Sequence, residues 1–233
     1  IMGGAFGSAG ERCMSLPVVV AVGDDTADKL IAALTPLVKA LRVGPGMQKG
    51  SEENEMGPVV SAAHQKKVLG YIDKGVEEGA KQVGVGRNFE VPVYAVGYYV
   101  CGTLFDNVTA DMVIWREEIF GPVLSIMRAP DYETALKLVN SHEFGNGSAI
   151  FTSNGHTGRD FVREVQAGMV GVNVPVPVPM AFHSFGGWKR SVFGALNVHG
   201  PDGVRFYTRM KTATVRWPSG QKTVSEFSMP TLG

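Results

Sequence analysis

Residues 123–152, VLSIMRAPDYETALKLVNSHEFGNGSAIFT, contain the pattern on which our prediction of the fold rests. The apolar run Val123–Met127 follows a Gly-Pro turn and predicts a strand. Asp131–Ser141 predicts a helix, with Leu136 and Val139 expected to face inward. Ser148–Thr152 predicts the next strand. Strand and helix therefore alternate, which is typical of an α/β fold with a mainly parallel sheet.

The same alternation extends in both directions along the chain. Upstream, the β-branched run Leu16–Val22 predicts a strand, followed by a helix from Asp24 to about Leu41. Asp24, Asp25 and Thr26 offer capping groups to this helix, and Pro36 is expected to kink or split it. The other predicted elements are a helix from Ser61, as N-cap, to Ala80, a strand over Tyr98–Phe105, a helix over Gly158–Gln166 and a strand over Met169–Val174.

Helical spacing also predicts which side chains face the core. The expected inward residues are Leu30, Ile31, Leu34, Leu37, Val38 and Leu41 in the first helix, Val68, Ile72 and Val76 in the second, and Leu136 and Val139 in the third.

Composition narrows the class of protein. Of the 233 residues, 44% are hydrophobic and 19% are charged, and the formal net charge is zero, as in an ordinary globular protein. There is no basic stripe for nucleic acid and no apolar run of the roughly 18 residues that a membrane span needs. Cys13 and Cys101 do not make a disulfide framework in a chain of this length, so we expect a reducing compartment.

Several cofactor and metal motifs are absent from the sequence. There is no G-x-G-x-x-G at a strand–helix junction and no Walker loop, and the five histidines are scattered without metal-ligand spacing. We therefore predict no metal site. The chain starts at Ile1, within what reads as the middle of a folded element, so we expect it to be part of a longer protein.

Cys13 is the leading candidate for a catalytic residue. It follows a glycine-rich approach, and Glu11 and Arg12 stand directly before it. Glycine allows a sharp bend and close approach of a substrate, and an adjacent cation favours the nucleophilic thiolate. The alternative is a buried structural cysteine, which is what the strand pattern around Cys101 predicts for that residue.

Three blocks of sequence resemble the aldehyde dehydrogenase superfamily. The segment FGSAGERCM at 6–14 resembles its cysteine signature, EEIFGPV at 117–123 resembles its E-E-I-F-G-P motif, and FGGWKRS at 185–191 resembles its F-G-G-x-K-x-S block. MGPV at 56–59 and GTLF at 102–105 also fit, in the family's order. The resemblance extends over about residues 1–218.

Within the superfamily, the chain most resembles the CoA-acylating branch, the methylmalonate-semialdehyde dehydrogenases. The segments that carry this resemblance are GERCM at 10–14, NVPVPVPM at 173–180, HSFGGWKRS at 183–191 and HGPDGVRFYT at 199–208. It implies a catalytic domain over 1–205, a protruding oligomerisation strand over 206–218 and a tail over 219–233. The N-terminal NAD-binding domain of such enzymes would then be absent from the chain, which would be the C-terminal catalytic part.

The resemblance implies a role for each site residue. Cys13 would attack the aldehyde carbonyl, hydride would pass to NAD, and the resulting thioester would be transferred to coenzyme A as propionyl-CoA or acetyl-CoA. Arg12 would hold the substrate carboxylate and Phe185 would line the substrate tunnel. Glu118 would accept hydrogen bonds from the nicotinamide ribose, and Phe120 would pack against the cofactor.

Each of these roles has a plainer alternative. Arg12 could be tied to local carbonyls, and Phe120 and Phe185 could be core residues. Glu118 could be a solvated surface acid, which is our expectation for Glu117. A structural role is expected for Glu11.

Two other functions fit the residues. One is a hydrolytic aldehyde dehydrogenase that releases a free acid, and the other is an inactive fragment that acts only as an assembly module. We expect no dehydrogenase turnover by these 233 residues alone, because no cofactor phosphate loop is among them.

Partners and location follow from the same resemblance. Lys211–Trp217 alternates and is predicted to seek a partner strand, in a homodimer or homotetramer. The substrate would be a small semialdehyde of valine catabolism, with no nucleic-acid or membrane partner. The expected location is the cytoplasm of a bacterium, or the mitochondrial matrix if the source is eukaryotic.

Overall fold

The computed structural model describes residues 1–47, 53–84 and 97–217. The predicted tail over 219–233 lies outside these ranges, as does residue 218. No helix in the described ranges is long and apolar enough to cross a membrane.

A four-stranded sheet forms the centre of the fold. Its strands are β1 (Val18–Val22), β2 (Lys81–Gln82), β3 (Thr103–Asp106) and β4 (Val123–Ala129), in the order β1-β4-β3-β2. Both β1 and β3 run parallel to β4, and β2 pairs antiparallel with β3. The predicted α/β fold with a mainly parallel sheet is therefore confirmed.

Two smaller sheets lie further along the chain. β6 (Gly147–Ile150) and β7 (Met169–Val172) form a parallel pair, and β5 (Phe144–Gly145) pairs antiparallel with β8 (Trp188–Lys189). The pairing of β5 with β8 joins residues about 45 positions apart and brings the late F-G-G block back towards the middle of the chain.

Helices connect the strands and cover the sheet. They are α1 (Met2–Phe6), α2 (Asp24–Ala40), α3 (Ala62–Glu77), α4 (Val113–Arg116), α5 (Tyr132–Ser141), α6 (Gly155–Glu164) and α7 (Gly200–Tyr207), with a 3₁₀ turn over Gly7–Gly10 after α1.

Side chains cap the starts of two helices, and the cap at Ser61 was predicted. The Ser61 hydroxyl accepts a hydrogen bond from the amide of His64 at the start of α3, and Asp131 accepts one from Thr134 at the start of α5. Each satisfies one of the amide donors that a helix start leaves without an intrahelical partner. The helix starts were predictable because this chemistry is local.

The start of α2 differs from the prediction. Its N-cap is Gly23, at φ 84°, and no side chain caps it; Asp24 and Asp25 lie in the first turn instead. Two acidic residues there still favour the positive end of the helix.

Pro36 lies inside α2 and does not split it, so that part of the prediction is wrong, while the kink stays a prediction. The carbonyl that loses its amide partner belongs to Ala32, which is exposed, so water can satisfy it. Leu34 and Val38 are buried on either side of the proline and hold both halves of the helix against the core.

Most predicted core positions are buried or half-buried. Two are wrong: Leu37 is 53% exposed and Val76 is 46% exposed. Both lie at the edge of their helical stripe, where spacing alone places a side chain only approximately. Leu136 and Val139 pack against a second small cluster around Phe161.

Several predicted elements have different ends. The strand expected over Tyr98–Phe105 starts only at Thr103, and the helix expected to end at Ala80 ends at Glu77. Helix α6 begins three residues earlier and ends two residues earlier than predicted, and strand β7 is two residues shorter.

The segment Lys211–Trp217 is neither helix nor strand within the described residues, and all of it is exposed. Helix α7 runs to Tyr207, across the boundary predicted at residues 205 and 206. Because the predicted strand needs a partner from a second copy, its pairing stays a prediction.

Candidate active site

Cys13 lies exposed on a turn that follows α1 and its 3₁₀ extension. The approach to it is strained: Ser8 and Ala9 both have φ of 55°, and Gly10 follows at 71°. Residues other than glycine rarely adopt this left-handed conformation, which costs about 1–2 kcal/mol each. Such strain is held only where surrounding contacts enforce it.

The cysteine turn has free amide donors. Within the described part of the chain, the main-chain N–H groups of Arg12, Cys13 and Met14 have no hydrogen-bond acceptor. N–H groups of this kind stabilise a thiolate or the oxyanion that forms when a thiol adds to a carbonyl. The turn can therefore support nucleophilic chemistry at Cys13.

The first and second motif blocks touch through two glycines. A Cβ added at Gly10 would overlap the carbonyl oxygen of Gly121, so the two main chains are in direct contact. At Gly121, a Cβ would lie 2.6 Å from a methyl of Val68 on α3. Only residues without a side chain allow this approach, and it places the E-E-I-F-G-P block beside the cysteine segment.

Glu11 and His64 strengthen that contact. Glu11 Oε1 accepts a hydrogen bond from the Val60 amide at 3.1 Å and lies 3.2 Å from His64 Nε2, which is also 2.6 Å from the carbonyl oxygen of Phe120. Both neighbours of Nε2 are acceptors, so Nε2 carries the proton. These contacts agree with the structural role expected for Glu11. Sequence reasoning missed His64, because the scattered spacing of the five histidines indicated no functional role.

Asn146 joins the third block to the cysteine. Its Nδ2 donates to the carbonyl oxygen of Cys13 at 2.9 Å, and a Cβ at Gly187 would lie 3.1 Å from its Oδ1. Sequence reasoning did not select Asn146, because its partner is 133 residues away. The sequence offered one indication of a special role for Asn146, which is its position between Gly145 and Gly147.

Lys189 anchors the third block. Its Nζ donates to the carbonyls of Asn140 and His142 at 2.7 and 2.9 Å, at the end of α5. Burial lowers the pKa of Lys189. A cation at the carbonyl end of a helix is also favoured by the helix dipole.

Arg12 lies next to Cys13, and Phe185 belongs to the third motif block. The expected roles of these two residues in substrate binding stay predictions. Arg12 is exposed, lies over Gly7 and donates to the Gly3 carbonyl at a long 3.4 Å. Phe185 is half-buried, with its ring centroid 5.6 Å from that of His199.

The cofactor candidates are exposed. The Glu118 carboxylate has no hydrogen-bond partner within the described ranges, and Phe120 is 37% exposed with φ of 56°. Core packing, the alternative for Phe120, is therefore wrong. A free carboxylate two residues from an open aromatic face fits a group with ribose hydroxyls and a flat ring.

Glu117 is exposed, as we expected of a solvated surface acid, and it also has a hydrogen-bond partner. It accepts a hydrogen bond from the Tyr71 hydroxyl at 2.6 Å. Burial, and then this bond, raises the pKa of Tyr71 to about 12. Glu117 thus fixes the loop to α3 and leaves Glu118 as the available carboxylate.

Cys101 is a structural thiol, as predicted. It is 7% exposed, and burial raises its pKa to about 11. No group of three or more His, Cys, Asp or Glu side chains in the described ranges is placed to hold a metal ion.

Comparison with known proteins gives a consistent family. The model of the aldehyde dehydrogenase family matches residues 1–213. The malonate-semialdehyde dehydrogenase of Pseudomonas aeruginosa is 54% identical over 233 residues, which are 100% of this chain and 46% of that protein. Malonate-semialdehyde dehydrogenase 1 of Oceanobacillus iheyensis is 49% identical over 219 residues, covering 93% of this chain and 44% of that one.

Solved structures agree. A putative methylmalonate-semialdehyde dehydrogenase from Sinorhizobium meliloti, complexed with NAD, superposes with a TM-score of 0.91 at 53% identity, over 95% of this chain and 45% of that chain. The methylmalonate-semialdehyde dehydrogenase of Oceanimonas doudoroffii gives a TM-score of 0.89 at 51% identity, over 94% and 44%. The chain spans less than half the length of these relatives.

Proposed function

We propose that this chain, which belongs to the aldehyde dehydrogenase family, is the thiol-bearing part of a malonate- or methylmalonate-semialdehyde dehydrogenase. The enzyme would depend on NAD and transfer its acyl group to coenzyme A. The observation that carries the proposal is the convergence of three distant sequence blocks on Cys13 through Gly10–Gly121 and Asn146. The names of the relatives support the choice of substrate.

The first step is addition of the Cys13 thiolate to the aldehyde carbon. The carbonyl oxygen takes up the electron pair and becomes an alkoxide, which the N–H groups at the cysteine turn can stabilise. Bound NAD supplies the hydride acceptor. Loss of hydride from the same carbon leaves the acyl group on sulfur as a thioester.

The substrate carboxylate is assigned to Arg12. Its bond to the Gly3 carbonyl is long at 3.4 Å, so a charge-assisted, two-pronged bond to a carboxylate would replace it at little cost. Phe185 supplies an apolar wall.

The cofactor is assigned to the 117–122 loop. Glu118 offers a free carboxylate to ribose hydroxyls, and Phe120 offers an aromatic face. His64 and Tyr71 hold this loop from α3, through the Phe120 carbonyl and the Glu117 carboxylate.

Acyl transfer completes the reaction. The thiol of coenzyme A displaces Cys13 from the thioester, and its proton returns to the Cys13 sulfur. The free carboxylate of the substrate leaves as carbon dioxide, and a proton from water takes its place on the α-carbon. Malonate semialdehyde would give acetyl-CoA, and methylmalonate semialdehyde would give propionyl-CoA. The rival hydrolytic route would release a free acid instead.

The test uses the complete gene product that contains this chain. NADH formation is followed with malonate and methylmalonate semialdehydes, with and without coenzyme A, and the products are identified by mass spectrometry. We expect turnover that depends on coenzyme A, with loss of at least about 10³-fold in Cys13→Ser and retention in the control Cys101→Ser. Acid release that is independent of coenzyme A would overturn the acylating route.

A further inference from the structure

We propose that Asn146 is a positioning residue for the Cys13 nucleophile, an inference that rests on the function proposed above. Its Nδ2 donates to the Cys13 carbonyl oxygen at 2.9 Å and lies 3.2 Å from Sδ of Met14. A carbonyl can only accept, so it is the amide NH₂ that faces the cysteine. One side chain thus holds the main chain of the nucleophile and its neighbour.

Asn146 stands on a fixed platform between β5 and β6. Its own carbonyl accepts from the Met169 amide at 3.1 Å. The preceding residue, Gly145, donates to Ser191 Oγ at 3.0 Å and accepts from Gly168 at 2.9 Å. Because the main chain is held on both sides, the side chain can transmit a defined position to Cys13.

Met14 and Gly187 lie close to the Asn146 amide. A Cβ at Gly187 would lie 3.1 Å from Asn146 Oδ1, and a Cβ at Gly147 would overlap the methyl of Met14. Met14 is 6% exposed, and Asn146 is half-buried. The amide therefore contacts both the third block and the cysteine segment.

Other contacts also hold the cysteine segment. The Ser15 amide donates to the Arg12 carbonyl at 3.1 Å, and the Ser15 hydroxyl lies 3.1 and 3.3 Å from the carbonyl oxygens of Gly4 and Ala5. Glu11 is tied to Val60 and His64, and its amide donates to Ser8, all before the nucleophile. At residue 13 itself, the described part of the chain shows one long-range hydrogen bond, from the Asn146 amide to the Cys13 carbonyl. It fixes the Cys13–Met14 peptide plane and so the direction of the Met14 N–H, which is a candidate oxyanion donor.

The consequence is kinetic. A misplacement of about 1 Å at a reacting group can cost about 10²-fold in rate. Loss of the Asn146 bond should therefore lower kcat and leave NAD binding, which depends on the 117–122 loop, unchanged.

The experiment compares Asn146→Asp and Asn146→Ala with wild type in the complete gene product. Asn146→Asp keeps the shape but places an acceptor opposite the Cys13 carbonyl. Asn140→Ala is the matched control, because Asn140 also bridges main-chain groups, of Glu164 and Gln166, but away from the thiol. The readouts are kcat, KM for NAD, the rate of Cys13 alkylation by iodoacetamide, and Tm.

We expect kcat to fall at least about tenfold in Asn146→Asp with KM for NAD within about twofold, and less in Asn146→Ala. Cys13 alkylation should slow by at least about threefold, since a loosened turn stabilises the thiolate less well. Asn140→Ala should lower Tm alone. Wild-type kcat and alkylation in both Asn146 variants would overturn the proposal.

The two proposals can fail separately. If wild-type protein oxidises no semialdehyde, the proposed function fails, but the alkylation rates still test Asn146. If Asn146→Asp does not fold, kcat and the rate of Cys13 alkylation are compared between Asn146→Ala and the control Asn140→Ala. Equal losses of kcat and of Tm in Asn146→Ala and Asn140→Ala would show a merely structural role.

Discussion

At Cys13 the thiol is exposed on a turn with free N–H donors, whereas Cys101 is buried beside the sheet with its pKa raised to about 11. Thiolate is the reactive form, so burial and a raised pKa both protect Cys101, whereas Cys13 is open to reagents. The chemistry of a cysteine is thus decided by its immediate surroundings.

Alkylation of the folded chain should therefore be selective. At pH 8, Cys101 is about one part in a thousand thiolate, since its pKa is about 11, and it is also shielded from the reagent. We expect iodoacetamide to modify Cys13 at least about tenfold faster, as measured by mass spectrometry of the two peptides. Cys13→Ser should remove the fast phase and Cys101→Ser should keep it; equal rates for both thiols would contradict this.

At the scale of elements, Arg128 ties two strands and a helix together. From β4 it donates to the buried Asp106 of β3 at 2.9 and 3.0 Å, and to Asp24 and Asp28 of α2. Burial opposes ionisation of Asp106, but the hydrogen bonds and charge of Arg128 outweigh it and lower the pKa of that carboxyl. Replacement of this ion pair should therefore have a pH-dependent effect.

Asp106→Asn should destabilise the chain by about 3 kcal/mol at pH 7, because it leaves a partly buried cation with less compensation. A lowered pKa stabilises above the ordinary value near 4, and the contribution is lost as pH falls through the folded value. The difference from wild type should thus shrink below about pH 4 in denaturant titrations. The exposed control Asp25→Asn should cost under about 1 kcal/mol, and a gap that is constant from pH 3 to pH 7 would contradict the assignment.

The contact between the cysteine segment and the 117–122 loop also belongs to the scale of elements. Gly10 has φ of 71° and touches Gly121, so a methyl group there is both strained and in collision with main chain. Gly3 has nothing within 4 Å of an added Cβ and lies in α1, which makes it a matched control.

Gly10→Ala should lower the free energy of unfolding by at least about 2 kcal/mol and lower the turnover of the complete gene product as the loops separate. Gly3→Ala should be neutral or slightly stabilising, since alanine favours a helix. Thermal melts and NADH formation measure the two effects. A Gly10→Ala protein with wild-type Tm would show that the contact is dispensable.

On the scale of the whole molecule, the end of the described chain has many exposed apolar side chains. Val204, Phe206 and Tyr207 on α7 are 58–82% exposed, and Val215 and Trp217 are 61% and 87% exposed. Apolar exposure on this scale is typical of a surface that another segment or chain covers. It supports our proposal that copies of the protein associate through 211–217.

Thr214→Pro should weaken that association, because proline removes an amide that a paired strand donates. We expect the dissociation constant of the oligomer to rise at least about tenfold, measured by sedimentation of the complete gene product, with Thr214→Ala unchanged. A strict monomer in wild type, or an unaltered oligomer in Thr214→Pro, would refute the role of this segment.

Sequence alone determined the elements whose signals are local. Apolar runs located β1 and β4, Ser61 located the start of α3, and the alternation of strand and helix indicated a mainly parallel sheet. These predictions succeeded because periodicity and capping act over a few residues. Resemblance to motifs of the aldehyde dehydrogenase family selected Cys13 and the 117–122 loop.

Tertiary structure alone decided how the site is assembled. Glu11 holds the Val60 amide, 49 residues away, and His64 holds the Phe120 carbonyl, 56 residues away. Asn146 holds the Cys13 carbonyl, 133 residues away. Contacts across such separations leave no periodic trace in the sequence, so neither histidine spacing nor the Asn146 context predicted them. Exposure was also decided there, since Pro36 and Leu37 are tolerated on α2 only because their side of the helix faces water.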